Sequence, residues 1–233
     1  MKETNIQNAG RAFHLTAVLT FFVAGFEVLL ALFHYQPGMS FFNIANCVTV
    51  NPYFFCLILI LANLILLPGA MLLYRQNGLS LKDEIIGRKT WAKDILYGVL
   101  ALVITEMLQL LFLPIYQLEQ SGMTNTAENS AGVIVLRIIA LVLVSGICKE
   151  IYFRGIAKTF CGSVMGETTA LLLFNVMFAM LDWYNIGFSF VAGLVWIWAY
   201  KKSGHLIACM IAHGGANLIG ICYMVLTSGG LQK

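Results

Sequence analysis

The chain has 233 residues, of which 60% are hydrophobic and 11% charged, and its formal net charge is +3. Soluble domains carry about 25% charged residues, so this composition excludes an ordinary soluble globular domain. The small positive charge comes from lysines and arginines between the apolar blocks, and it predicts no nucleic-acid partner. The six cysteines form no CxxC pair, so we predict no metal site, and no motif predicts a cofactor.

Long apolar blocks recur along the chain, and an α-helix needs about 20 apolar residues to cross a bilayer. Lipid offers the backbone no hydrogen-bond partners, so each spanning block is predicted to be a helix. We predict an all-α transmembrane bundle that forms one integral membrane domain over residues 1–233. Its seven spans (six to eight) are predicted at residues 13–34, 52–74, 94–117, 132–154, 167–183, 186–200 and 206–227. The sixth is short, which leaves an additional or re-entrant segment open.

The charges between the spans predict an orientation. Residues 75–93 contain five lysines and arginines, whereas residues 118–131 contain two glutamates and no basic residue. Short basic loops stay in the cytoplasm, so we expect the N-terminus inside and the C-terminus outside a bacterial plasma membrane. Residues 75–93 are also predicted to carry an amphipathic surface helix with Leu81, Ile85 and Ile86 on one side. In the last span, the small residues Ala216 and Gly220 predict close helix packing.

Ionisable residues inside the predicted spans are candidate functional residues, because a charge in lipid is costly unless it is paired or hydrated. Glu150 and Arg154 share a helix face, so they can form an intrahelical ion pair, with Arg154 and Lys158 extending outward to the interface. Lys149 points about 100° away from Glu150 and must face another element. The full set comprises Glu27, Glu106, Arg137, Lys149, Glu150, Arg154, Asp182 and His213.

His213 and Asn217 also share one helix face, beside two glycines. A lone buried histidine is usually a satisfied core residue, but an amide one turn away can orient an imidazole or donate to an oxyanion. Asp182 is either a residue at a helix end or the partner of a basic group across the bundle. Glu27 and Glu106 have no partner at helical spacing, which leaves a wet cavity or a distant basic partner open.

Three short motifs occur in order: KEIYFR at 149–154, FAMLD at 178–182 and HGGAN at 213–217. Together they resemble the EExxxR, FxxxH and HxxxN (or HxxxD) motifs of the CAAX protease and bacteriocin-processing family of intramembrane peptidases, over about residues 132–220. The resemblance implies a peptidase whose first glutamate activates water and whose histidines and asparagine stabilise the developing charge. Its implied substrates are prenylated or membrane-embedded peptides. Glu150, Arg154, His213 and Asn217 match the motif positions.

Two motif positions depart from the family pattern. Lys149 stands where the family has its first glutamate, and Asp182 stands where it has its first histidine. Because the two substitutions have opposite charge, we predict a Lys149–Asp182 ion pair, which requires the fourth predicted helix to continue to about residue 160. A general base must be unprotonated, and a lysine beside an aspartate stays protonated. We therefore expect a catalytically impaired protein that binds a membrane protein or peptide partner, as a regulator or an immunity-type protein.

Two alternatives stay open. The first is an active intramembrane endopeptidase with a rearranged site formed by Glu150, Asp182, His213 and Asn217. The second is a small transporter or channel that uses Glu27 and Glu106. The second lacks the inverted repeats and paired broken helices that are typical of secondary transporters.

Overall fold

A computed structural model of the chain describes residues 2–33, 52–86, 89–120, 130–181 and 186–227. Every regular element within these ranges is a helix, so the all-α prediction is confirmed. The helices described are α1 (Lys2–Phe33), α2 (Pro52–Gln76), α3 (Leu81–Ile85), α4 (Trp91–Gln120), α5 (Ala131–Met165), α6 (Glu167–Met180), α7 (Ile186–Ser203) and α8 (Ile207–Thr227).

Five helices contain stretches that are long and apolar enough to cross a membrane: Thr4–Phe26, Phe55–Gln76, Trp91–Leu111, Ala131–Met165 and Ile207–Leu226. They identify an integral membrane protein. The fifth and sixth predicted spans coincide with α6, an apolar helix of 14 residues, and with α7, which has 18 residues. Within the described residues, all seven predicted spans are therefore helical, and five of these helices meet the length and composition of a full span.

The helix α5 carries the first motif and is longer than predicted. It starts after Ser130, whose side chain accepts a hydrogen bond from the backbone N–H of Val133. It then includes two segments of wider π-helical turns, Ile138–Ser145 and Ile151–Cys161. It ends at Gly166, whose φ of +87° lies in the left-handed region that favours glycine at helix ends. The predicted end at residue 154 is wrong, and α5 reaches the length required for the predicted Lys149–Asp182 contact.

Glycines bring α5 and α8 close together. A Cβ atom at Gly146 of α5 would lie 3.2 Å from the Cα atom of Gly214 in α8, so only two small residues allow this approach. At Gly220, a Cβ atom would have no neighbour within 4 Å. The packing predicted for Ala216 and Gly220 is therefore wrong at Gly220, because the close crossing of α8 lies at Gly214, more than one helical turn earlier.

The short helix α3 is the predicted surface helix. Ser80 caps its N-terminus by accepting a hydrogen bond from the backbone N–H of Asp83. Leu81 and Ile85 are partly buried against the core of the bundle, whereas Ile86 remains 37% exposed. Two of the three predicted apolar residues therefore pack inward.

Polar contacts join α3 and the start of α4 to the turn between α7 and α8. The backbone N–H of Leu206 donates to the Glu84 carbonyl at 2.9 Å, and the Tyr200 hydroxyl donates to the Glu84 carboxylate. Nearby, His205 Nδ1 lies 3.1 Å from Oδ2 of Asp94, whose side chain is fully buried. Glu84 and Asp94 thus lie at the same end of the bundle as residues 200–206.

Candidate functional site

Glu150 and His213 meet in the interior of the bundle. Glu150 lies one turn after Gly146 on α5, and His213 directly precedes Gly214 on α8, so the close helix crossing brings the two side chains together. His213 Nδ1 is 2.7 Å from Glu150 Oε1. The side chains are 6% and 0% exposed. The structure therefore unites two motif residues that are 63 positions apart in sequence.

Arg154 extends this pair into a buried network. Its Nη1 lies 3.4 Å from Glu150 Oε1, and its Nη2 donates to Oδ1 of Asn175 at 3.0 Å. Asn175 in turn donates to the carbonyl of Phe190 at 2.9 Å. Arg154 has no exposed surface, so the predicted extension of this side chain toward the interface is wrong. The ion pair with Glu150 and the amide of Asn175 explain why the guanidinium can stay inside.

Aromatic rings enclose the charged network. The Cζ atom of Arg154 lies 4.2 Å from the ring centroid of Phe178. The imidazole of His213 stacks on Trp196 with centroids 4.4 Å apart and ring planes at 19°. Neither Asn175 nor Trp196 was identified from the sequence. An asparagine and a tryptophan inside apolar helices are weak signals without knowledge of the packing.

Lys149 is buried but does not join the Glu150 network. It is 6% exposed, and its Nζ lies 5.8 Å from the ring centroid of Phe178. In the part of the chain that the structure describes, no carboxylate oxygen lies within 4 Å of this Nζ. Asp182 lies outside the described residues, so the predicted Lys149–Asp182 ion pair stays a prediction.

Asn217 binds the backbone of the neighbouring helix α5. Its Nδ2 donates to the carbonyl of Leu141 at 2.9 Å. Leu141 lies in the first π-helical segment of α5, and its carbonyl also accepts the backbone N–H of Gly146. In this structure the amide N–H of Asn217 therefore binds the backbone of α5 and not the imidazole of His213, and its donation to an oxyanion stays a prediction. Because α5 and α8 approach so closely, the amide reaches the backbone of the neighbouring helix and ties the two helices together.

Among the described side chains, Arg137 and Glu106 lie apart from this network. Arg137 Nη1 is 2.8 Å from the Sδ atom of Met224. Glu106 is partly buried, and its Oε1 has no hydrogen-bond partner among the described residues. The side chain of Glu27 lies outside the described parts of the structure. Glu106 thus remains a candidate residue, and the alternatives for Glu27 stay a prediction.

The cluster offers one carboxylate and one imidazole for chemistry. Glu150 Oε1 forms hydrogen bonds with both Arg154 and His213, whereas Glu150 Oε2 is buried without a hydrogen-bond partner in the described residues. The guanidinium stabilises the negative charge of Glu150 because opposite charges favour the ionised form. Across the described ranges, no group of three or more His, Cys, Asp and Glu side chains is placed to hold a metal ion.

The comparison with protein families identifies the segment that carries this cluster. A family model described as type II CAAX prenyl endopeptidase Rce1-like matches residues 131–219. This confirms the resemblance predicted from the three motifs, over nearly the same residues. No curated protein and no solved structure matches the chain significantly.

Proposed function

We propose that the chain is a catalytically impaired membrane protein of the Rce1-like type. The proposal proceeds from the Rce1-like match over residues 131–219. In this proposal it binds a membrane-embedded or prenylated peptide, or a membrane protein that presents one, and acts as a regulator or an immunity-type protein. The observation that carries the proposal is Lys149, a buried cation at the motif position where the family has its water-activating glutamate.

Neither Lys149 nor Glu150 is well suited to replace that glutamate. The ammonium of Lys149 lies against the ring of Phe178, and a protonated lysine cannot accept a proton from water. Glu150 already accepts from His213 and Arg154 through one oxygen. A carboxylate held by a guanidinium and an imidazole is a weak base, because protonation of either oxygen would remove the negative charge that strengthens both contacts. The network is therefore better suited to binding a ligand than to activating water.

The experiment compares hydrolysis and binding with the same probes. The full chain is placed in lipid nanodiscs and mixed with a farnesylated fluorogenic peptide that ends in a CAAX sequence, or with its unprenylated form. We expect no hydrolysis above that of His213→Ala, together with measurable binding of the farnesylated peptide. Hydrolysis by the unmodified chain that disappears in both Glu150→Ala and His213→Ala would contradict the proposal.

A gain-of-function variant tests the reason for the impairment. The double substitution Lys149→Glu with Asp182→His restores the family residues at both departing positions. We expect this variant to hydrolyse the farnesylated peptide, while each single substitution remains inactive. A double variant that folds and binds the peptide without hydrolysing it would show that Lys149 and Asp182 are not the cause of the impairment.

The second candidate function is an active intramembrane endopeptidase. It is favoured by the 2.7 Å contact between His213 Nδ1 and Glu150 Oε1, and by the buried second oxygen of Glu150. In that case Glu150 would replace the missing glutamate as the base, and Asp182→Ala combined with His213→Ala would abolish the activity. Equal rates for the unmodified chain and this double variant would reject the second candidate.

A further inference from the structure

We infer that Trp196 is a positioning residue for His213, and that Thr105 holds Trp196 in place. The inference goes beyond the proposed function, because a fixed imidazole is needed both in a binding site and in a hydrolytic one. Neither residue belongs to the three motifs, and the two come from α7 and α4, which contribute none of the motif residues described in the Glu150 network.

The contact between the two rings is a face-to-face stack. The centroids of Trp196 and His213 are 4.4 Å apart and the ring planes differ by 19°. The ring of Phe178 meets the imidazole nearly at a right angle, with centroids 5.6 Å apart and planes at 87°. Two rings therefore restrict the plane of the imidazole, and the stacked tryptophan covers one of its faces.

A hydrogen-bond chain fixes the tryptophan. Its indole Nε1–H donates to Thr105 Oγ1 at 3.0 Å, and the Thr105 hydroxyl donates to the carbonyl of Ala101 at 2.8 Å. A hydroxyl has one proton to donate, so with that proton on Ala101 it presents only acceptor lone pairs to the indole. Both Thr105 and Ala101 are fully buried. A buried indole N–H needs such a partner, and this one is rigid because it lies on a helix.

The backbone of Trp196 contacts the histidine helix as well. The Sγ atom of Cys209 donates to the carbonyl of Trp196 at 3.1 Å, and Cys209 lies one turn before His213 on α8. Trp196 is therefore attached to α8 through its carbonyl and through its ring, and to α4 through its indole N–H. These contacts determine where the imidazole lies relative to Glu150.

The orientation of the imidazole selects one tautomer. The carboxylate of Glu150, paired with Arg154, can only accept hydrogen bonds, so the contact with His213 Nδ1 requires a proton on that nitrogen. If the imidazole rotates away from Glu150, this requirement disappears. The tautomer of His213 is therefore a direct readout of the orientation of its ring, and a variant that destabilises the bundle without turning the ring leaves it unchanged.

The experiment is histidine-selective ¹⁵N NMR on the full chain in lipid nanodiscs. The chain has four histidines, and His213→Gln assigns the signals of interest by their disappearance. We expect the unmodified chain to hold His213 mainly with its proton on Nδ1. Thr105→Val removes the acceptor of the indole, and it should lower the ratio of the Nδ1–H to the Nε2–H form roughly fivefold, as expected for the loss of one hydrogen bond.

Matched variants separate positioning from general destabilisation. Thr105→Ser keeps the hydroxyl and should restore the original ratio, whereas Trp196→Phe keeps an aromatic ring without the N–H and should resemble Thr105→Val. Trp198→Phe is the control, because Trp198 lies on the same helix but is 37% exposed and packs on Tyr97. Unchanged His213 signals in both Thr105→Val and Trp196→Phe would overturn the inference, as would an equal shift in Trp198→Phe. These signals do not depend on hydrolysis or peptide binding, so they test positioning separately from the proposed function.

Discussion

At the scale of single residues, the site is dominated by charges that water cannot reach. The side chains of Glu150 and Arg154 have no exposed surface, so their compensation must come from each other and from neighbouring polar groups. Such a pair adds little net stability relative to apolar residues of similar size, but one member without the other is strongly unfavourable. The bundle should therefore lose more stability when one of the two charges is removed than when both are removed together.

This dependence predicts a non-additive result for Glu150 and Arg154. Glu150→Gln leaves the guanidinium buried without a counter-charge, so we expect a loss of about 3–5 kcal/mol in the free energy of unfolding. The double variant Glu150→Gln with Arg154→Met should recover most of that loss. Unfolding in lipid–detergent mixtures measures the free energy of unfolding of both variants. Equal losses of this free energy in the single and double variants would contradict the prediction.

Lys149 and Asp182 allow a second prediction about charge balance. Lys149 is 6% exposed and lies near Phe178, and Asp182 follows Phe178 by four positions in sequence. If the two charges pair, Lys149→Met and Asp182→Asn should show a coupling of ~1 kcal/mol or more in a double-mutant cycle. Lys158→Met combined with Asp182→Asn is the control cycle, since Lys158 lies 3.9 Å from Glu84. A coupling near zero in the first cycle would rule out the pair.

At the scale of helices, α5 and α8 form the frame that holds the motif residues. The helices themselves were predictable because apolar blocks in lipid have no other way to satisfy their backbone. The contact of Trp196 with Thr105 was not predictable, because it joins residues 91 positions apart through side-chain directions that no local pattern encodes. The partner of Asn217 was not predictable for a related reason, since its spacing from His213 reveals a shared face but not the nearby carbonyl of Leu141.

The crossing of α5 and α8 predicts that two glycines tolerate substitution by alanine to different degrees. Gly146→Ala would place a Cβ atom 3.2 Å from the Gly214 backbone, so the helices must separate, at a cost of about 1–3 kcal/mol. Gly220→Ala has open space on α8 and should be neutral or slightly stabilising because alanine favours helix. Thermal unfolding of the two variants in one lipid mixture measures the difference. Similar melting temperatures would mean that the crossing is not tightly packed.

Opening this crossing should also disturb the site. Gly146 lies one turn before Glu150, and Gly214 follows His213 directly, so a wider separation would lengthen the contact between the carboxylate and the imidazole. We expect Gly146→Ala to reduce the Nδ1–H form of His213 in the ¹⁵N spectrum, whereas Gly220→Ala leaves it unchanged. A Gly146→Ala variant that is destabilised but keeps its His213 signals would show that the two effects are separate.

At the scale of the whole molecule, the contacts of α3 constrain the topology. Leu206 and Tyr200 both bind Glu84, and His205 reaches Asp94, so the loops before α4 and after α7 lie on one side of the membrane. The chain must then cross an even number of times between them. With α4 and α5 as two full crossings, α6 and α7 together must leave the membrane on the side where they entered it.

The loop charges predict that this shared side is the cytoplasm, because residues 75–93 carry five basic residues and short basic loops are retained there. Single cysteines at Lys82, Lys202 and Glu128 in a cysteine-free chain test this with a membrane-impermeant maleimide in intact cells. We expect labelling at position 128 alone, and labelling at positions 82 and 202 only after permeabilisation. Labelling of 82 and 202 in intact cells would reverse the orientation while preserving the shared side. Labelling of only one of the two would contradict the contacts of Glu84 themselves, because a single hydrogen-bonded cluster cannot have its parts on opposite sides of a bilayer.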